Sequence, residues 1–87
     1  MLTSARVLRE LADREQDPDQ QRAMWAGAAA LLELHWRRLK SGRYRSGVAA
    51  EVVGLWKLAG KVQLERRFAD EVRADLVASG VLPGERR

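Results

Sequence analysis

The chain predicts an all-α fold, a small helical bundle of three helices, or of four if the last breaks near Gly60. Three observations carry this reading. Apolar residues recur at three- and four-residue intervals along most of the chain. Helix start and stop signals divide it into segments. No run of alternating β-branched and aromatic residues suggests a strand. With 87 residues, 46% hydrophobic and 32% charged, the chain is one domain spanning residues 1 to 87, with little room for a deep catalytic cleft.

The first helix is expected near residues 4 to 15, with Thr3 or Ser4 as its cap and Val7, Leu8 and Leu11 on one face. The second, near 18 to 40, opens on Asp17, Pro18, Asp19 and Gln20. There Asp17 accepts from exposed backbone N–H groups, Pro18 suits the first helical position and Gln20 completes a capping box. Glycine in the left-handed conformation at Ser41–Gly42 would end it. Met24, Trp25, Ala28, Leu31, Leu32, His35, Trp36 and Leu39 form one wide stripe, while Ala26, Gly27, Ala30 and Leu34 make most of the opposite side apolar as well. Such a helix needs cover on nearly all sides.

The third helix is expected near 46 to 79, with Ser46 as cap and Val48, Val52, Leu55, Leu58, Val62, Phe68, Ala69, Val72 and Leu76 along its apolar face. Gly54 and Gly60 each weaken it by roughly 1 kcal/mol relative to Ala, which places a kink or break near Gly60. Ser79 and Gly80 end it, with Val81 folding back on Leu76 and Pro83 preventing continuation.

Composition removes several function classes. Without cysteine there is no disulfide scaffold and no thiolate metal site, and nothing requires an oxidising compartment, so a cytoplasmic location is expected. The longest uncharged run, Ala23 to Leu32, is ten residues, half of what spans a bilayer. Charge within Met1 to Glu10 argues against a signal peptide. No membrane association is expected: Leu55, Trp56, Lys57, Leu58, Lys61 and Val62 form a basic amphipathic stretch, but core packing is the better account of it. The absence of Ile and Asn, with thirteen Arg against three Lys, is the bias of a GC-rich coding sequence and points to a bacterial or bacteriophage source.

Catalysis fails on inventory. One His, one Tyr, one Thr and no Cys leave no nucleophile with a base and an orienting group, and His35, on the apolar stripe beside Leu31 and Leu39, reads as a packed imidazole. No metal-ligand cluster, phosphate-cradling glycine loop or carboxylate pair stands out, so the protein is read as a non-enzyme without cofactor or metal. Glu65, Asp70, Glu71 and Asp75, interleaved with Arg66, Arg67 and Arg73, read as a solvated face carrying local ion pairs.

The net charge of +4 is unevenly placed. Residues 1 to 20 hold three Arg against five acids, net −2; residues 21 to 45 hold six basic residues against Glu33 alone, net +5; residues 46 to 87 are net +1. Within the basic stretch, Arg37, Arg38, Lys40, Arg43 and Arg45 surround the turn between helices two and three without an acid among them. Arginine forks can grip phosphate oxygens, Tyr44 offers a stacking face, and Ser46 with a helix N-terminus adds donors and positive dipole. The pattern points to a small subunit of a nucleoprotein assembly that holds the phosphate backbone of DNA or RNA. The competing account is a solvated turn whose cations satisfy the negative end of helix two. A helix-turn-helix is disfavoured, because the Ala50 and Gly54 spacing lacks the tight turn and second short helix.

The alternative function is a protein-interaction module, or a phage-type inhibitor, that binds a larger protein complex. Three tryptophans are many for this length, and tryptophan is favoured at interfaces. Trp25, Ala26, Ala30, Leu34 and Trp36 are the candidate interface, for a protein partner or for a homo-oligomer.

Overall fold

The computed structural model describes residues 2 to 40 and 42 to 80 of the chain. Those residues form four helices, α1 (Leu2–Arg14), α2 (Pro18–Arg38), α3 (Arg43–Leu58) and α4 (Val62–Ala78), and no strand. The all-α expectation holds in its four-helix form. The break falls where the glycine is. Gly60 sits at φ +73, a conformation that costs an L side chain roughly 1–2 kcal/mol, and its N–H donates to the Lys57 carbonyl at 3.0 Å. Gly80 at φ +83 likewise marks the end of α4; the expected contact of Val81 and the stop at Pro83 lie outside the described residues.

The boundaries shift for identifiable reasons. Ser4 lies inside the first turn of α1, and Thr3 with it, instead of capping from outside. Asp17 caps α2 as expected, accepting from the Asp19 N–H at 3.1 Å. Gln20 does not complete the box. Glu15 does that work from before the helix, its carboxylate accepting from the N–H groups of Gln16 and Asp17 at 3.1 and 3.4 Å. At the far end α2 stops at Arg38 because Leu39 turns extended (φ −80, ψ 148), two residues before the expected signal; Ser41 lies outside the described residues. Helix α3 then begins at Arg43, not Ser46. Ser46 lies within its first turn and donates its hydroxyl to the Gly42 carbonyl at 3.2 Å.

Helix α2 is the centre of the bundle, with α1 packed on one side and α3 on the other, while α4 packs on α3. Helix α1 runs antiparallel to α2: the Gln21 side chain donates to the Ala12 carbonyl at 2.9 Å near the turn, and Leu8 lies over Gly27 further on. A Cβ at Gly27 would stand 3.0 Å from the Leu8 Cδ2, so this glycine buys close approach of the two helices. The core runs through Ala28, Ala29, Leu32 and Trp36 of α2, Val48, Ala49, Val52, Leu55 and Trp56 of α3, Phe68 of α4 and Ala5 of α1. Trp36 meets Phe68 edge to face, ring centres 5.1 Å apart at 74°, within the range where aromatic pairs add to simple burial. The Trp56 indole N–H donates to the Glu33 carboxylate at 2.8 Å, satisfying the polar atom of a buried ring. In the amphipathic stretch, Leu55 and Trp56 are core while Leu58 and Val62 are exposed on either side of the break. No described helix is long and apolar enough to cross a membrane. The Cα trace measures 49 × 25 × 14 Å, and its thin dimension is that of two helix layers.

Candidate nucleic-acid interface

Arg37 and Arg38 occupy the last turn of α2, Lys40 the connection, and Arg43, Tyr44 and Arg45 the first turn of α3. The cluster is acid-free along the chain but not in space. Helix α4 runs antiparallel to α3, which brings Glu71 and Asp75 up to it.

Arg37 forks onto Glu71, with Nε to Oε2 and Nη2 to Oε1 both at 3.0 Å, and reaches Glu33 of its own helix at 2.7 Å. The hydrogen bonds it donates to Glu71 raise the Arg37 guanidinium above its ordinary pKa. In return, Arg37 holds the Glu71 carboxyl below the usual carboxylate range. Arg45 is tied down more tightly still. Its side chain is only 12% exposed, its Nε donates to the Trp36 carbonyl at 3.0 Å, its guanidinium lies 4.0 Å from the Trp36 ring centre, and its Nη1 pairs with Asp75. The hydrogen bond from Arg45 lowers the Asp75 pKa. Two cations near the start of α3 would be disfavoured by the helix dipole, and Asp75 offsets that for one of them.

The expected phosphate ligands Arg37 and Arg45 are therefore clasps between helices, their donor forks already engaged. The acids of α4 are corrected in the same way. Instead of a face with local pairs, Glu65, Glu71 and Asp75 reach Lys57 (3.7 Å) of α3, Arg37 (3.0 Å) of α2 and Arg45 of α3.

Arg38, Lys40 and Arg43 point to solvent and, among the described residues, make no ion pair. Tyr44 is half exposed, set edge-on to His35 with ring centres 6.1 Å apart and its hydroxyl 3.5 Å from the His35 Nε2. His35 is accordingly a half-buried neighbour of the tyrosine and not a core imidazole. Arg43 and Tyr44 line an open hollow with Gly47, Val48 and Glu51 of α3 and with Arg6 of α1. A Cβ at Gly47 would have nothing within 4 Å, which leaves one wall of the hollow bare. The acid at its rim, Glu51, is engaged by Arg9 at 2.7 Å.

Arg6 escapes sequence reasoning because it belongs to the net-acidic first segment. Its only signal is that Arg6 and Arg9 of α1 match Gly47 and Glu51 of α3 at helical spacing, which becomes legible once the Arg9–Glu51 ion pair and the hollow show those two helices facing each other.

The chain matches no protein family, no curated protein and no solved structure. The geometry of the site therefore carries the functional argument alone. Among the described residues no group of three or more His, Cys, Asp or Glu is placed to hold a metal ion.

The candidate partner interface divides. Trp36, 3% exposed, belongs to the core. Trp25 is half-buried, its indole N–H donating to Asp13 at 3.3 Å, and Ala26 is half-buried beside it. Ala30 is exposed, and Leu34 is 46% exposed. Of the small-residue side of α2, Ala30 and Leu34 are thus left uncovered, while Gly27 lies under Leu8 of α1. Val7 and Leu11 of α1, 51% and 49% exposed, line a groove with Ser4, Leu8 and Leu31 next to it.

Proposed function

We propose that the protein is a non-enzymatic nucleic-acid-binding protein that holds phosphate backbone with Arg6, Arg38, Lys40 and Arg43, with Tyr44 as a stacking face. A small subunit of a nucleoprotein assembly is the role that suits its size. The observation that carries the reading is the hollow between α1 and α3, where two arginines and the half-exposed tyrosine converge next to the cationic end of α2 while the nearby acids Glu33, Glu51, Glu71 and Asp75 are each engaged by hydrogen bonds or ion pairs. An open cationic surface with one aromatic ring suits a polyanion that passes across it. It offers no convergent set of base-reading groups, so binding is sequence-tolerant.

Fluorescence anisotropy with labelled duplex DNA, single-stranded DNA and RNA across a salt series tests this. Four engaged phosphates give a log-log salt slope of about −3.6 on duplex DNA, and Arg43→Ala lowers its magnitude by about one. Binding by the double variant Arg6→Ala, Arg43→Ala that equals the wild type would reject the site. A protein-interaction module is the second reading, favoured by the exposed groove at Val7, Leu8, Leu11 and Leu31. It is distinguished by partner binding that survives nuclease treatment at moderate salt, since buried apolar anchors resist screening better than exposed charges do.

A further inference from the structure

No contact within the chain explains Gly47. It lies one turn into α3, where glycine weakens a helix relative to alanine. Its φ is not positive, and a Cβ there would meet nothing within 4 Å, so neither backbone conformation nor close packing asks for it. What the missing side chain leaves open is the flank of Tyr44. A helical side chain leans back over the turn that precedes it, and the turn before Gly47 carries Arg43 and Tyr44. At about 100° per residue, the direction of Gly47 falls between the directions of those two residues. The hollow left there has a volume of about 590 Å³, within the range of about 300–1,000 Å³ that small-molecule sites occupy. Val48, 4% exposed, lies at its base. Arg6 of α1 and Arg43 of α3, both exposed, flank it. The contact of Tyr44 with His35 is nearly perpendicular, at 81°; it occupies at most one face of the tyrosine ring and leaves the other.

We propose that the hollow takes an unpaired nucleobase, so that the nucleic acid held at the phosphate site is single-stranded. The inference rests on the phosphate reading and narrows its ligand. A phosphate needs donors and gains nothing from Val48 or from an aromatic face, whereas a base offers a flat ring that suits both. In a duplex the faces of each base are stacked on its neighbours, and freeing one costs unstacking and unpairing. A single strand presents both parts at once: a base on Tyr44 in the space left by Gly47, and its phosphates on Arg6 and Arg43 to either side. Glu51, the acid lining the hollow, is held by Arg9 at 2.7 Å, which offsets its repulsion of the phosphates. The contacts are to a base face and to phosphate, common to every nucleotide, so DNA and RNA strands bind alike. One base on one aromatic ring is worth roughly 5- to 150-fold in affinity. That gain carries no charge and does not fade with salt as the phosphate contribution does.

Fluorescence anisotropy at physiological salt tests it with labelled probes of one length: oligothymidylate, oligouridylate, a strand with the same phosphates but abasic sugars, and a duplex. The wild type binds the two base-bearing strands roughly 5- to 150-fold more tightly than the abasic strand, and more tightly than the duplex. Gly47→Leu fills the hollow from an exposed position with open space around it, so the Tm does not fall. It brings the base-bearing strands to the level of the abasic one, whose affinity is unchanged. Tyr44→Leu does the same, while Tyr44→Phe, which keeps the ring, retains the preference. Gly54→Leu, an equal change about two turns further along α3 and outside the hollow, leaves every affinity at the wild-type value. Wild-type protein that binds the abasic strand or the duplex as tightly as the base-bearing strands overturns the inference and leaves the phosphate reading standing, as does a folded Gly47→Leu variant that keeps the full preference. Binding of none of the probes overturns both.

Discussion

Replacing Arg45 by Ala separates the structural account of the basic cluster from the electrostatic one. The side chain joins three helices: it is rooted in α3, donates to the Trp36 carbonyl at 3.0 Å and stacks 4.0 Å from that indole on α2, and pairs with Asp75 of α4. A partly desolvated cation–π contact contributes about 1–2 kcal/mol, and a hydrogen bond from a charged donor about 1.5–3 kcal/mol. Both involve one guanidinium and overlap, so the combined loss is about 2–3 kcal/mol. For a domain of this size about 4–8 °C of Tm accompanies each kcal/mol, which sets the expected drop at about 8–24 °C. Arg45→Lys keeps the charge but not the planar fork, and loses roughly half as much. Thermal unfolding followed by helical circular dichroism measures both. Under the proposed phosphate site, which leaves Arg45 out, binding to duplex DNA measured well below the variant's Tm keeps the wild-type salt slope. A Tm within about 2 °C of wild type together with a slope reduced by about one would refute the reasoning and return Arg45 to the phosphate site.

That reassignment shows what was legible in the sequence and what was not. Local signals read well. Asp17 and Pro18 start α2, Gly60 breaks the last helical segment, and Gly80 closes it, because each acts through its own backbone or one turn of it. The end of α2 is less legible because Leu39, a residue with no breaker chemistry, turns extended before the glycine is reached. The fate of the basic cluster depends on distance in space. Glu71 is 34 residues from Arg37, and Asp75 is 30 from Arg45, so a stretch without acids along the chain becomes lined with them once α4 folds back. The same fold-back explains Trp36. Its stripe on α2 gave no means of telling a core anchor from an interface anchor until Phe68 and Arg45 were placed against its ring. Leu34 and Ala30 read correctly as the surplus apolar side, since two flanking helices cannot cover the whole circumference of a third.

Three further outcomes follow from the fold. Leu32, 2% exposed, belongs to the buried core, and Leu32→Ala costs about 2–5 kcal/mol, a large share of the stability of so small a domain, read as a lower denaturant midpoint with unchanged slope. Gly54→Ala and Gly60→Ala act in opposite directions. Gly54 lies inside α3 with nothing within 4 Å of an added Cβ, so alanine there stabilises by up to about 1 kcal/mol. Gly60 also has room, its nearest atom being Arg22 Cδ at 3.9 Å, but its φ of +73 makes alanine destabilising by about 1–2 kcal/mol; equal effects of the two changes would contradict the break. The last outcome concerns acid. Arg37 holds the Glu71 carboxyl, and Arg45 the Asp75 carboxyl, below their ordinary values in the folded chain. As the pH falls through the ordinary carboxylate range near about 4, the unfolded chain takes up protons at these positions before the folded one does, so stability falls with pH. The contribution of both pairs is fully present above that range and is lost as the pH passes down through the lowered folded values. The raised pKa of Arg37 lies above any working pH and adds nothing to the acid limb. The Tm is therefore flat from about pH 7 to about pH 5 and declines below about pH 4. The double variant Glu71→Gln, Asp75→Asn starts from a lower Tm and declines less steeply, because its neutral side chains have no proton to take up. A decline as steep as that of the wild type would place the acid sensitivity in other carboxylates and remove the two clasps from the account of stability.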